Sequence, residues 1–290
     1  MRYIFLLAIL IFSGACSTLS GNLTGESRDV AIKRVNQSLV GIGRYGSVST
    51  LSTQDINMNM TMMGIAVEMT STTTSSSQIQ FDSLAQMIAA SGSVELEIVS
   101  DFVSNTNTTM DIVLVNNQVY MRGNENSGLP AGWTNITQNP ELFNVVDGNT
   151  YTDALYTNWA GQYPITSQTV ESIRSLGETM LGDIPVYGYA VVLDIEALMQ
   201  VGGIDELMSS MNLDGMETQF SDMMDQMIRG MEYEIIVWIG QDEVVRQVEV
   251  NMLINTDLEL MGESVKLWMR SSVIQDYVNF GAPVNIIPPI

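Results

Sequence analysis

Between Asp55 and Met62 the chain alternates without a fault: Ile56, Met58, Met60 and Met62 are apolar, while Asp55, Asn57, Asn59 and Thr61 are polar. Successive side chains of a strand point to opposite faces, so a period of two predicts a β-strand with one face turned to an interior and the other to water. A helix would scatter the same residues around its circumference. Any fold that contains this segment must therefore shelter a face built largely of flexible thioether side chains.

The same reasoning extends along the chain. Strands are predicted at Val94–Val99, at Thr109–Tyr120 with a turn at Asn116-Asn117 and a return over Gln118–Arg122, and briefly at Gly132–Ile136. Further strands are expected at Ile184–Leu193, Tyr233–Ile239, Val244–Ile254 and Ser264–Ile274, then an extended segment over Val278–Pro289. The last three strands are joined by short turns such as Gly240-Gln241-Asp242 and should form a meander. Helical spacing is read at Ser27–Leu39, through Val30, Ile32, Val35 and Leu39, and in Pro140–Tyr156 and Ser167–Leu181. It is also read in the Met-rich stretch Ile195–Gly230, with interruptions at Gly202-Gly203 and Asn212–Gly215. The Ser/Thr run Ser71–Ser77 is expected to be a hairpin loop. Strands, a helical insert, then strands define an α+β chain with one large antiparallel sheet.

Composition removes whole classes of function. With 33 acidic against 11 basic residues the net charge is −22, which repels phosphate backbones, so nucleic acid is not an expected partner. The chain has no histidine and one cysteine, Cys16, so Ser-His and Cys-His nucleophile systems have no base. Neither a G-x-S-x-G elbow nor a Walker lysine is present. Gly41-Ile42-Gly43-Arg44-Tyr45-Gly46 fits G-x-G-x-x-G in letters, but a predicted helix precedes it and a strand follows, the reverse of a dinucleotide site. The carboxylate pairs Glu95/Glu97, Glu171/Glu178 and Asp242/Glu243 read as solvated faces of an acidic chain, and neither Asp214 nor Asp242 lies in an EF-hand loop. No enzyme activity and no cofactor are expected. The Asn-x-Ser/Thr triplets at Asn22, Asn36, Asn59, Asn107 and Asn135 read as incidental in a chain rich in these residues.

At the N-terminus, Arg2 is followed by the apolar run Tyr3–Phe12 and then by Ser13-Gly14-Ala15-Cys16. That run is far short of the ~20 apolar residues of a membrane-spanning helix and matches a secretory signal core ending at a small-residue cleavage site. A cysteine in that place resembles the lipobox of bacterial lipoproteins, with Ser13 where those proteins favour Leu. The resemblance implies that residues 1–15 are a signal peptide, that Cys16 is acylated, and that 16–26 form a flexible tether. An ordinary signal peptide cut near Ala15, leaving a free thiol, is the alternative. The expected location is the extracytoplasmic face of a cell membrane, with residues 27–290 as one domain.

Several short motifs, in order, are similar to those of the LppX/LprG-type bacterial lipoproteins. They are Val115-Asn116-Asn117-Gln118-Val119-Tyr120 followed by Gly132-Trp133, and Val186-x-Gly188 leading to Asp194-Ile195-Glu196-Ala197-Leu198. Ile236-Val237-Trp238-Ile239 with Val245-Arg246, and Phe280-Gly281-Ala282-Pro283-Val284-Asn285-Ile286, complete the set. The resemblance implies a curved antiparallel half-barrel, as in the carriers LolA and LolB, with helices covering its concave side around an apolar cavity for acyl chains. No polar site residue is implied by it.

Methionine is the unusual component: 21 in all, six from Met58 to Met87 and eight from Met199 to Met231. Unbranched thioethers suit a plastic interior that re-packs around ligands of varying length. Met58, Met60, Met62, Met208, Met211, Met223 and Met227 are therefore the candidate lining of a cavity for a lipid or acylated ligand. Two other readings stand beside it: a surface lipoprotein with a filled core that acts as a structural or interaction module, and a Met-rich copper-handling lipoprotein, because soft thioethers select Cu(I).

Overall fold

The computed structural model describes residues 26–62, 64–84, 86–101, 106–127, 129–138, 165–201, 226–260 and 263–289. Helix α1 (Arg28–Val40) runs through a 3-10 turn (Gly41–Tyr45) into the strands β1 (Ser47–Met62), β2 (Ile65–Phe81), β3 (Met87–Ser100), β4 (Thr106–Val115) and β5 (Gln118–Gly123). The short β6 (Thr134–Asn135) ends this half. The second half holds β7 (Val170–Leu181), β8 (Ile184–Leu193), helix α2 (Ile195–Val201), β9 (Met231–Gly240), β10 (Val245–Leu260) and β11 (Glu263–Val278).

All strands among the described residues belong to one 11-stranded sheet in the order β6-β5-β4-β3-β2-β1-β11-β10-β9-β8-β7. Each half is an antiparallel meander, and the halves join where β1 pairs with β11 from Ser49↔Val278 to Met62↔Val265. The first and last described strands are thus neighbours at the centre, and among the described residues the sheet is open, with β6 and β7 as its edges. The Asn116-Asn117 turn appears as expected, with φ of 54° and 57°, the left-handed values a tight hairpin requires.

Helix α1 agrees with its predicted span. It buries Ala31, Ile32, Val35, Ser38 and Leu39, a stripe with helical spacing, whereas Val30 is exposed. Ser27 starts the helix through its carbonyl, which accepts from Ala31 N at 3.0 Å, and its hydroxyl makes no capping bond. The helix begins against β7, where the Arg28 guanidinium donates to the Val170 carbonyl, and its far end feeds β1. Its buried stripe joins one core cluster with Val48, Ile79, Leu114 and Val119, a level running across β1 to β5, and with Val191, Ile235 and Val237 of the other half. We call this face of the sheet inner. On the outer face, Ala89, Val113 and Val115 pack with Tyr120, Trp133 and Ile286, so the C-terminal extension covers part of that side.

Two segments differ from the sequence reading. Ser71–Ser77 is not a loop but the middle of β2, paired with β1 and β3 along its length. Its hydroxyls carry no hydrophobic alternation to read, and the strand is held by neighbours on both sides. That clamp is close: a side chain at Gly92 of β3 would place its Cβ 2.9 Å from the Ser76 carbonyl oxygen. Ser167–Leu181 is not helical either; a turn leads into β7. The register shift at Val170/Ser172 moves the inward positions, which places the buried Val170 and Ile173 three residues apart and imitates a helix. Within Ile195–Gly230, helix is present at α2 and as a short turn over 226–229, and Asp194 opens α2 by accepting from Ala197 N at 2.9 Å. The predicted helix Pro140–Tyr156, like 202–225, lies outside the described residues.

Candidate functional site: the inner face of the sheet

Strand register assembles the site. Met58 of β1 stands opposite Met69 of β2 on one side and Met269 of β11 on the other. The level continues through Ile254 of β10 to Met231 of β9. Four methionines and an isoleucine therefore line one row across five adjacent strands, on the face that carries α1 further along. Met60 lies two residues on, between Val67 and Leu267. Met58 and Met60 are half-buried, and Asn57 and Asn59 on the opposite face are exposed. Met227, from the turn before β9, packs against Met252 and Ile254 together with Met231, Leu267 and Met269.

Of the candidate lining residues, the structure thus brings Met58, Met60 and Met227 to this end of the inner face. Met62 ends β1 opposite Ile65 and Val265. Met208, Met211 and Met223, and Cys16 with the signal peptide, lie outside the described residues. Sequence reasoning missed Met69, Met231, Met252 and Met269 as partners. The parity of each within its own strand was readable, and the expected meander of the last three strands puts Met231, Met252 and Met269 on neighbouring strands, but nothing local placed β11 beside β1.

The electrostatics of the two faces differ sharply. Along 47–62, 65–81, 87–100, 106–115, 118–123, 231–240, 248–258 and 265–278, every charged side chain has outward parity. These are Asp55, Glu68, Glu95, Glu97, Asp111, Arg122, Glu232, Glu234, Glu249, Asp257, Lys266, Arg270 and Asp276. Some pair there, as Arg122 with Asp111 at 2.7 Å and Arg174 with Glu234 at 3.1 Å. The inner face of those strands carries no charge. Its phenol Tyr233, beside Met252, is pushed up to about 12 by burial and stays neutral.

Between the methionine row and the end filled by α1, the inward positions of the central strands are uncharged and mostly polar: Thr50, Ser52 and Gln54 of β1, Ser71, Thr73, Ser75 and Ser77 of β2, and Ser271 of β11, with Ile56 and Val273 among them. Thr50 and Ser77 bond each other at 2.7 Å, and Gln54 Nε2 donates to Ser271 Oγ at 3.4 Å.

Other candidate chemistry is accounted for by structural partners. The Asp242 carboxylate accepts from the Tyr45 hydroxyl and from Arg246 at 2.6 Å. Burial alone would raise its pKa, but these two donors outweigh it and hold the group below the usual carboxylate value. Arg34 on α1 reaches Glu26 at 3.3 Å, Glu243 at 3.4 Å and the Tyr189 hydroxyl at 3.1 Å, tying the start of the domain to β8 and to the β9–β10 turn. Among the described residues no three His, Cys, Asp or Glu side chains form a metal-holding group, so the copper reading rests on thioethers alone. No described helix is long and apolar enough to cross a membrane. Two open grooves of about 570 and 500 Å³ lie on the outer face and share Leu51, Ser76 and Ser93. The first is lined largely by hydroxyls and carboxylates, whereas the second also carries Ile112, Val113, Trp133 and Val278.

No protein-family model matches the sequence, and no curated protein matches it. Among solved structures, the chain is similar to LprF from Mycobacterium bovis, at 11% identity and a TM-score of 0.38, covering 89% of this chain and 96% of that one. It is also similar to the lipoprotein LppX from Mycobacterium tuberculosis, at 10% identity and a TM-score of 0.35, covering 90% and 100%. A third is a DUF1329 family protein from Desulfovibrio piger, at 14% identity and a TM-score of 0.25, covering 88% and 95%. The first two are proteins of the kind that the sequence motifs resemble. At such TM-scores the superpositions carry no argument about ligand, which rests on the inner face itself.

Proposed function

We propose that this protein is an exported, acyl-anchored lipoprotein that holds a lipid or acylated ligand against the inner face of its sheet and transfers it without altering it chemically. In this reading residues 1–15 are the signal peptide, Cys16 carries the anchor, 16–26 are the tether, and 27–290 form one lipid-binding domain whose helical segments cover the inner face. The observation that carries it is the charge-free inner face with its row of Met69, Met58, Met269, Ile254 and Met231. Acyl chains gain ~0.8 kcal/mol for each CH₂ removed from water, and a thioether lining adjusts to their shape. A net charge of −22 makes an anionic membrane surface repulsive, so attachment falls to the anchor.

The test is to purify the full-length protein from its membrane and identify bound lipid by native mass spectrometry. An adduct with the mass of a lipid that is released on unfolding supports the proposal. A protein that is lipid-free apart from its anchor, and stays so after incubation with total membrane lipid, sinks it and leaves the filled-core module.

A further inference from the structure

Ser71 Oγ and Thr73 Oγ1 are buried and have no hydrogen-bond partner among the described residues. Ser71 is only 3% exposed. A buried hydroxyl without a partner is costly, and native proteins rarely leave two on adjacent inward positions of one strand. Both have inward parity in β2, two and four residues beyond Met69 of the methionine row. At about 3.4 Å per residue, the first lies about 7 Å from that row along the strand. Ser71 stands between the apolar Ile56 and Ile98, and Thr73 between Leu96 and Gln54, whose amide nitrogen is directed to Ser271 Oγ at 3.4 Å.

We propose that Ser71 and Thr73 form a hydrogen-bonding subsite for the carbonyl, ester or hydroxyl group of an uncharged acyl ligand whose hydrocarbon lies along the methionine row. This rests on the lipid-binding reading and narrows it to a class. A hydroxyl donates to a carbonyl or ester oxygen and accepts from an alcohol, so either polarity is served. A phosphate or carboxylate placed there would be buried on a face without a cation, and the geometry selects against it. A pure hydrocarbon would leave both hydroxyls unsatisfied.

The experiment uses the full-length protein in phosphatidylcholine vesicles with three photoactivatable sixteen-carbon probes: palmitoylglycerol, hexadecane and hexadecyl phosphate. Wild type should be labelled most by palmitoylglycerol. With each neutral hydrogen bond worth ~1 kcal/mol, the double variant Ser71→Ala/Thr73→Val should lose at least about tenfold of that labelling and keep its hexadecane labelling. Its melting temperature should not fall, because the hydroxyls removed are unsatisfied without ligand. Hexadecane or hexadecyl phosphate labelling wild type as strongly as the ester overturns the subsite, as does equal loss of ester and hydrocarbon in the variant. If the double variant does not fold, Thr73→Ser must retain the ester preference and Thr73→Val must weaken it; the reverse overturns the proposal. Labelling by none of the probes would overturn the lipid-binding reading itself.

Discussion

Met58 and Met269, far apart in the sequence, stand directly opposite each other where the first strand of the sheet pairs with the last. Met69 flanks Met58 from the other side. This contact makes a row out of isolated strand positions, and several expectations follow from it and from its surroundings.

Met60 is half-buried between Val67 and Leu267, at the same end of the inner face. Met60→Trp should fill space that a ligand occupies, abolishing lipid binding with an unchanged melting temperature. In a filled core the same change would overpack and cost about 1–3 kcal/mol. Lipid content and thermal unfolding, measured on one preparation, separate the two. A large drop in melting temperature, with a lipid-free parent protein, excludes the cavity.

Acylation of Cys16 should decide where the protein sits. A single acyl chain binds membranes only marginally, so stable attachment needs more than one on this residue. Cys16→Ser should move the protein from the membrane to the soluble fraction and remove the lipid mass from its N-terminal peptide. Retention of the variant through a high-salt wash would require a second anchor.

The close approach of β2 and β3 at Gly92 predicts a backbone-driven loss of stability. A Cβ there meets the Ser76 carbonyl oxygen at 2.9 Å and the Ser77 Cβ at 3.1 Å. Gly92→Val should cost about 1–3 kcal/mol by forcing the strands apart, despite the higher strand propensity of valine. Urea denaturation midpoints would show it, and an unchanged or raised midpoint would contradict the clamp.

Asp242 supplies a pH signature. Its folded-state pKa lies below the ordinary value because the Tyr45 and Arg246 donors favour the carboxylate. The unfolded chain therefore takes up a proton first as pH falls. The stabilisation is fully present above the unfolded value, ~3.9, and disappears as pH drops through the lower folded value. The stability gap between wild type and Asp242→Asn should be flat near neutrality and close below about pH 4. A gap that widens with acid would reverse the assignment.

Much of this was legible locally. The alternation at 55–62 places Met58 and Met60 on one face, the helical stripe of Ile32, Val35 and Leu39 places α1, and Asn116-Asn117 marks its turn, because each signal is a period or a conformational preference of neighbouring residues. Where local signals were absent or misleading, the reading failed. The hydroxyls of Ser71–Ser77 have no apolar period, and the two bulges of β7 give a strand the spacing of a helix.

The sequence by itself determined which side chains of a strand share a face, since that follows from the two-residue repeat of an extended backbone. Its short turns also determined neighbours within the last three strands and across Asn116-Asn117, but only the tertiary structure decided that β1 lies against β11. Pairing of β1 with β11, and with it the union of Met58, Met69, Met269 and Met231 beside the unpartnered hydroxyls of Ser71 and Thr73, depends on contacts between distant segments. Such contacts are selected by the burial of whole faces against one another, a collective choice that no local run of residues encodes.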